Sequence, residues 1–197
     1  MERKMKKKAL VIVAHPDDEI IWMGGLLIRN AVLNKNWEMT IISLCRRDDK
    51  DRAPKFAKVC EFFNARGFMS DLEDEKLNSV FSDEIKKRIM EFAGKKYDYI
   101  FTHGENGEYG HIRHKEVHKA VCEIVEKKLI FTEKLFFFAY LKNGEDCYAD
   151  KNANKFIKLK KVELIMKQEL ITNIYGFQKN SFEERNCRNS EAFNLKR

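Results

Sequence analysis

The chain has 197 residues, of which 44% are hydrophobic and 35% charged, with a formal net charge of +7. That length supports one domain with a full core, and the composition excludes a disordered chain. The positive surplus would attract nucleic acid, an anionic lipid surface or an anionic metabolite, but no nucleic-acid motif accompanies it, so a solvated basic surface is the plainer reading. Part of the surplus lies in RKMKKK, Arg3 to Lys8, and part between Lys155 and Lys167. The apolar run that follows the first basic stretch stops after six residues at HPDDE, short of the roughly 7–15 apolar residues of a secretory signal. No segment approaches the ~20 apolar residues of a membrane span, and a cytoplasmic location is expected. Five cysteines at wide spacing, with no C-x-x-C, point to reduced thiols rather than a disulfide framework or a cysteine zinc site.

Ala9 to Val13 reads as a first, buried strand. A helix is expected from about Glu19 to Asn34, and Trp37 to Leu44 reads as a second strand. Pro54 opens a helix to about Arg66, with Phe56, Val59, Cys60 and Phe63 at helical spacing and Gly67 as the residue that ends it. Phe81 to Phe92 carries Ile85, Ile89 and Phe92 on one helical stripe. Tyr97 to Thr102 is a strand, His111 to Lys128 a helix, Lys134 to Leu141 a further strand, and Ile157 to Tyr175 a last long helix. Strands alternating with helices predict βα units and a mainly parallel sheet, a Rossmann-like α/β sandwich that forms one domain over residues 1–197. The exposed-looking FFFAY stretch, Phe136 to Tyr140, offers a surface for oligomerisation.

Ligands of such sheets bind beyond the carboxyl ends of the strands. Three polar segments are expected there: HPDDE after the first strand, CRRDDKDR (Cys45 to Arg52) after the second, and THGENGEYGH after the strand that ends at Thr102. His111 and His114, spaced i and i+3, share one face at a helix start. Two histidines and a carboxylate with an open fourth position make a catalytic zinc set, because water must be acidified there to attack near neutral pH. A second carboxylate would then accept its proton. Each residue also has a plainer use. Asp17 or Asp18 would cap the following helix, Pro16 would shape the turn, and His118 shares its stripe with Val121 and Val125 as a packed histidine. His103, at a strand end, fits either role.

AHPDDE after the first strand, with GEYGHIRHKEVH about ninety residues later, resembles the PIG-L/LmbE-like family of metal-dependent N-deacetylases. The resemblance covers about residues 8 to 130 and includes Gly24–Gly25 in the first helix, where small residues allow close packing beside the site. It implies that His15, Asp18 and His114 hold zinc, with ferrous iron as the other cation such donors accept. It implies Asp17 as general base, easily kept ionised at a helix start. His111 would stabilise the tetrahedral oxyanion as an imidazolium, or protonate the leaving amine. Tyr109 matches a tyrosine that polarises the carbonyl or gates the pocket in some relatives, and Arg52 would grip sugar hydroxyls or a phosphate. One departure stands out. Many relatives read His-Pro-Asp-His where Ile112 and Arg113 stand here, so His111 needs another partner, with Glu105, Glu108 and Glu116 as candidates, and Arg113 is free to face the substrate. The implied reaction removes acetyl from an N-acetylglucosamine-type sugar or conjugate. The basic residues Arg46, Arg47, Arg52 and Arg113 favour an anionic aglycone. The rivals are the same hydrolase acting on a thiol conjugate or an acylated antibiotic sugar, and a non-catalytic basic protein with a vestigial site.

Overall fold

The computed structural model describes residues 5–76 and 78–196. Arg3 and Lys4 of the basic run therefore lie outside the described residues. The first strand, β1 (Lys7–Val13), is buried on both faces from Ala9 onward, as its uninterrupted apolar sequence requires of a central parallel strand. It lies between β2 (Trp37–Cys45) and β4 (Lys96–Thr102), parallel to both. With β3 (Arg66–Leu72) outside β2 and β5 (Phe131–Phe138) outside β4, the sheet runs β3-β2-β1-β4-β5 in parallel. Two antiparallel strands, β9 (Ser190–Leu195) and β8 (Lys155–Lys158), complete a seven-stranded sheet. A small hairpin of β6 (Tyr140–Asn143) and β7 (Asp146–Ala149) stands apart. The sandwich is the expected one.

Helices cover both faces. Alternate residues of β1 divide between them: Ala9, Val11 and Val13 join the cluster packed by α1 (Asp18–Leu27) and α2 (Arg52–Phe62), while Leu10 and Ile12 join the one packed by α3 (Ser82–Phe92) and α5 (Ile112–Glu126). Between β4 and α5, α4 (Gly107–Gly110) is a single turn. Chain order reverses at β1 and β4, whose carboxyl ends lie side by side, the place where open α/β sheets bind ligands.

Several expected elements differ. The helix ending at Arg66 stops at Phe63, and Asn64, at φ 50°, makes the left-handed exit. Gly67 lies instead inside β3, an unexpected strand, where any Cβ would overlap the Cys60 sulfur; it is glycine for want of room. FFFAY is not a free surface, since Phe136, Phe138, Ala139 and Tyr140 are buried. Ile157 and Lys158 end β8, and the last long helix is α6 (Lys161–Glu169), continued by a π-helical turn at Leu170–Ile174. A short α7 (Phe182–Asn186) follows. Among the described residues no helix is long and apolar enough to cross a membrane.

The last third of the chain is stapled to α1. Lys167 of α6 and Glu191 of β9, both fully buried, pair at 2.8 Å. The same carboxylate accepts the N–H groups of Gly25 and Leu26 at 2.7 and 2.9 Å, and the Trp22 carbonyl accepts the Tyr140 hydroxyl at 2.6 Å. Side chains inserted into the helical ladder disturb its regular winding, and the helix widens into a π turn at Ile28–Leu33. Gly24 and Gly25 face Lys167 and Leu159, so their smallness serves this junction rather than the site. Glu191→Ala would leave an unpaired buried ammonium and two orphaned N–H groups. Its unfolding free energy in urea should fall by about 3–5 kcal/mol, whereas Lys167→Met, which leaves Glu191 its two N–H donors, should cost less.

Candidate metal-dependent active site

The loop after β1 begins with a turn. The backbone N–H of His15 donates to Asp18 Oδ2 at 2.9 Å, which points that carboxylate back under the imidazole. His15 Nδ1 lies 3.1 Å from the same oxygen, and His15 Nε2 meets Asp74 Oδ1 at 3.0 Å. From the other side His114, in the first turn of α5, brings its Nε2 to 3.4 Å from Asp18 Oδ2 and 3.2 Å from His15 Nδ1. Three donor atoms thus form a triangle with edges of 3.1, 3.2 and 3.4 Å. Ligand atoms at ~2.0–2.1 Å from a tetrahedral zinc stand roughly 3.4 Å apart, so these three fit one divalent cation.

His114 is aimed by Glu108. This carboxylate, fully buried in α4, accepts from the Nδ1 atoms of both His103 and His114 and, at 2.7 Å, from the Gly104 N–H. Its position depends on left-handed backbone at Gly107 (φ 64°) and at Glu108 itself (φ 56°). His103 settles as a support rather than a donor to the triangle. Its Nε2 accepts the Ala14 N–H at 2.9 Å, so its proton sits on Nδ1 and neither nitrogen is free for a cation. His118 points elsewhere, donating from Nδ1 to the His103 carbonyl at 2.9 Å.

The charges follow from this crowding. Burial opposes the charged imidazole of His15, yet its bonds to Asp18 and Asp74 raise its pKa to about 9. Burial likewise opposes His114, which Asp18 and Glu108 lift to about 10. Burial would raise Glu108, but His103 and His114 hold it at about 2. Without a metal, protons on the two imidazoles supply the positive charge that Asp18 and Glu108 demand, and a bound cation would displace them.

Asp17 has no capping role: its side chain makes no cap bond to α1. Its backbone stands at φ 134°, ψ −28°, a conformation that costs a non-glycine residue about 1–3 kcal/mol and clusters at functional sites. The carboxylate faces the cleft and accepts from Arg52 Nη1 at 3.0 Å. Burial and then the Asp18 charge push its pKa well above the ordinary aspartate value, against the pull of His15 and Arg52. The helix start expected to keep it readily ionised is outweighed.

His111 also departs from expectation. It caps α5, its Nδ1 accepting the Arg113 N–H at 3.3 Å, so the backbone orients it and none of Glu105, Glu108 and Glu116 does. Burial and then the neighbouring His114 and His15 charges lower its pKa to about 4. That shift favours the neutral imidazole over the expected imidazolium, and an Nδ1 that accepts leaves Nε2 as the donor.

The cleft encloses about 230 Å³ and is lined by His15, Asp17, Asp18, Arg46, Arg52, Asp74, Tyr109, His111 and Phe182, among others. Tyr109 packs against Trp22, Phe182, His111 and His114, and burial raises its hydroxyl pKa, so it stays neutral. Arg113 is not in the cleft. Fully buried, it spends its guanidinium on the Glu73 carbonyl, the Glu73 carboxylate and Glu116, and so pins the loop that presents Asp74. Asp74 went unnoticed in the sequence; only a strand recognised before it would have placed its acidic run on the rim.

The sheet, the switch point and the His–Asp–His triangle define an α/β protein with a candidate metal site at the carboxyl end of its sheet. The chain belongs to the family described as PIG-L: GlcNAc-PI de-N-acetylase, whose match covers residues 10–125. An uncharacterized protein of Acanthamoeba polyphaga mimivirus is 30% identical over 131 residues, 60% of this chain and 58% of that protein. The chain thus matches little more than half the length of this curated relative. The fold is that of the N,N'-diacetylchitobiose deacetylase of Pyrococcus horikoshii, with a TM-score of 0.71 at 15% identity over 96% of this chain and 84% of that one. A 4-carboxy-2-hydroxymuconate hydratase of Pseudomonas putida shares it at a TM-score of 0.59 and 12% identity, over 96% and 95% of the two chains.

Loss of an outer partner of a metal-bound histidine costs about 10–100-fold in metal affinity. Glu108→Gln should therefore weaken zinc binding by that factor in competition with a chromophoric chelator, and His114→Ala should lower it further. Unchanged affinity in Glu108→Gln would mean that His114 does not depend on Glu108 for its aim.

Proposed function

We propose that the chain is a metal-dependent hydrolase that removes the N-acetyl group from an N-acetylglucosamine-type sugar, releasing acetate and an amine. The observation that carries this reading is the triangle of His15 Nδ1, Asp18 Oδ2 and His114 Nε2 with a second carboxylate, Asp17, in the same cleft. A cation held by His15, Asp18 and His114, zinc in first place and ferrous iron in second, would acidify water and polarise the amide carbonyl.

Asp17 accepts the proton of the attacking water, and its raised pKa brings it nearer the range of an effective base. His111, with its proton on Nε2, donates a hydrogen bond to the carbonyl oxygen as negative charge develops there. A donor so placed is typically worth about 3 kcal/mol. With His111 acting as hydrogen-bond donor through Nε2, Asp17 passes the proton it took to the leaving amine as the C–N bond breaks. Tyr109 closes one wall of the cleft over the acetyl group. Arg52, between Asp17 and the ring of Phe177 at 4.3 Å, steadies the base and lies within the cleft wall that meets the sugar.

The cleft is smaller than the roughly 300–1,000 Å³ of drug-sized ligand sites, which suits one acetamido sugar ring better than a long acyl chain. The arginines supply no free positive field. Arg46 pairs with Asp74, Arg47 with Asp71, Arg52 with Asp17 and Arg113 with Glu73 and Glu116. This pairing supports a neutral glycoside over the anionic aglycone expected from composition. Five free thiols support a reducing, cytoplasmic setting.

The test is acetate release by the zinc-loaded protein from free N-acetylglucosamine, simple glycosides, and nucleotide-linked and lipid-linked forms. Release should be greatest from a neutral member. Asp17→Asn should lower it by about 10²–10⁴-fold with metal content unchanged. Normal turnover in Asp17→Asn would overturn the base assignment. Silence of the whole panel with metal bound would move the reaction to another acyl group or amine. Tight, salt-steep binding to duplex DNA without metal would favour the non-catalytic rival.

A further inference from the structure

The conformation of Asp17 raises the question of what holds it. Its carbonyl accepts the N–H groups of Ile20 and Ile21, each at 2.9 Å, and its own N–H donates to Glu19 Oε2 at 3.0 Å. This is a variation on half of a capping box, which uses the third helical residue. Glu19, the second residue of α1, reaches back to the N–H of the N-cap residue Asp17, and the reciprocal bond, from the Asp17 side chain to the helix, is missing. Glu19 therefore fixes the Asp17 peptide from its N–H side while the Ile20 and Ile21 N–H groups fix it from its carbonyl, and the Asp17 carboxylate, with no cap bond to make, turns to the cleft.

Glu19 is fully buried, and a buried carboxylate needs partners for both oxygens. Its Oε1 accepts the hydroxyl of Tyr175 at 2.6 Å. Tyr175 is buried too, 156 residues further along, and follows the π turn that ends the last long helix. Neither Glu19 nor Tyr175 lines the cleft.

We propose that Glu19 and Tyr175 are positioning residues that hold the Asp17 peptide in its left-handed conformation and so keep its carboxylate turned to the cleft and to Arg52. The inference rests on the reading of Asp17 as the base. It gives the last third of the chain a part in catalysis: the first loop supplies the base, and a tyrosine from the far end of the chain keeps it aimed.

The test compares Glu19→Gln, Glu19→Ala and Tyr175→Phe in zinc-loaded full-length protein. Each is examined for crystal structure, metal content, and kcat and KM on the substrate that the wild type hydrolyses. Tyr175→Phe and Glu19→Ala should lower kcat by about 10–100-fold, the size of effect that misplacing a reacting group produces. KM and metal content should hold, and the crystals should show residue 17 at negative φ with its bond to Arg52 broken. Glu19→Gln keeps an acceptor for the Asp17 N–H and should recover most of what Glu19→Ala loses. If Glu19→Ala does not fold, Tyr175→Phe, which lacks one oxygen, carries the test. Wild-type kcat with residue 17 unmoved in Tyr175→Phe and in any folded Glu19→Ala would overturn the proposal, as would equal losses in Gln and Ala without movement of residue 17. If the wild type hydrolyses no amide, the functional reading fails, and the crystal structures still decide whether Glu19 and Tyr175 hold Asp17.

Discussion

The cleft depends on Glu108, a carboxylate with no access to solvent that accepts from two histidines at once. Such a group is tolerable only when it is fully bonded and faces positive charge. Its bonds fix the protons of His103 and His114 on Nδ1, which leaves His114 Nε2 facing Asp18 and His15. Burial of Glu108 therefore sets the direction of one corner of the triangle, whose three donor atoms stand at the spacing that one divalent cation would take. The His103 ring, stacked on His114 with centroids 3.8 Å apart, and the Ala14 N–H bonded to its Nε2 tie this corner to the end of β1. The end of β1, which leads into His15, and helix α5, which supplies His114, are thus joined through His103 and Glu108 before any metal is considered.

A second buried pair does similar service for the whole molecule. Lys167 and Glu191 join the last third of the chain to α1, and Tyr175 reaches Glu19 in the first turn of the same helix. The first strand–loop–helix unit thus bears two of the three proposed cation donors, His15 and Asp18, and the proposed base, and the last third of the chain packs on it. The size of the cleft and the pairing of its two lining arginines, Arg46 with Asp74 and Arg52 with Asp17, support the proposed small neutral sugar.

Much of this was legible in the residues. The central strands declared themselves because burial on both faces demands mainly apolar sequence, unbroken in ALVIV and broken in WEMTIISL by Glu38 at its exposed start and by the small Thr40 and Ser43. AHPDDE and H-x-x-H then fell at the carboxyl ends of neighbouring strands. What stayed hidden were short strands with mixed polarity. RGFMSDL and KFIK are edge strands, whose charges edges tolerate and pattern reading discounts. SEAFNL is an inner strand whose buried Glu191 breaks its apolar pattern. Missing β3 meant missing Asp74, and the true place of Gly67 with it. Arg113 misled because its neighbours in sequence line the site while its own side chain turns into the interior. The ionisation of Asp17 and His111 lay beyond the sequence, since burial and neighbours from distant segments decide it.

The central claim is that one cation sits among His15, Asp18 and His114. Anomalous diffraction at the zinc edge, from crystals of the zinc-loaded protein, tests it most directly. A single strong peak in contact with His15 Nδ1, Asp18 Oδ2 and His114 Nε2, with Asp17 and His111 nearby but not bonded to it, is the expected result. A peak held by Asp17 or His111 in place of one of those three, or none at all in the cleft, would contradict the account.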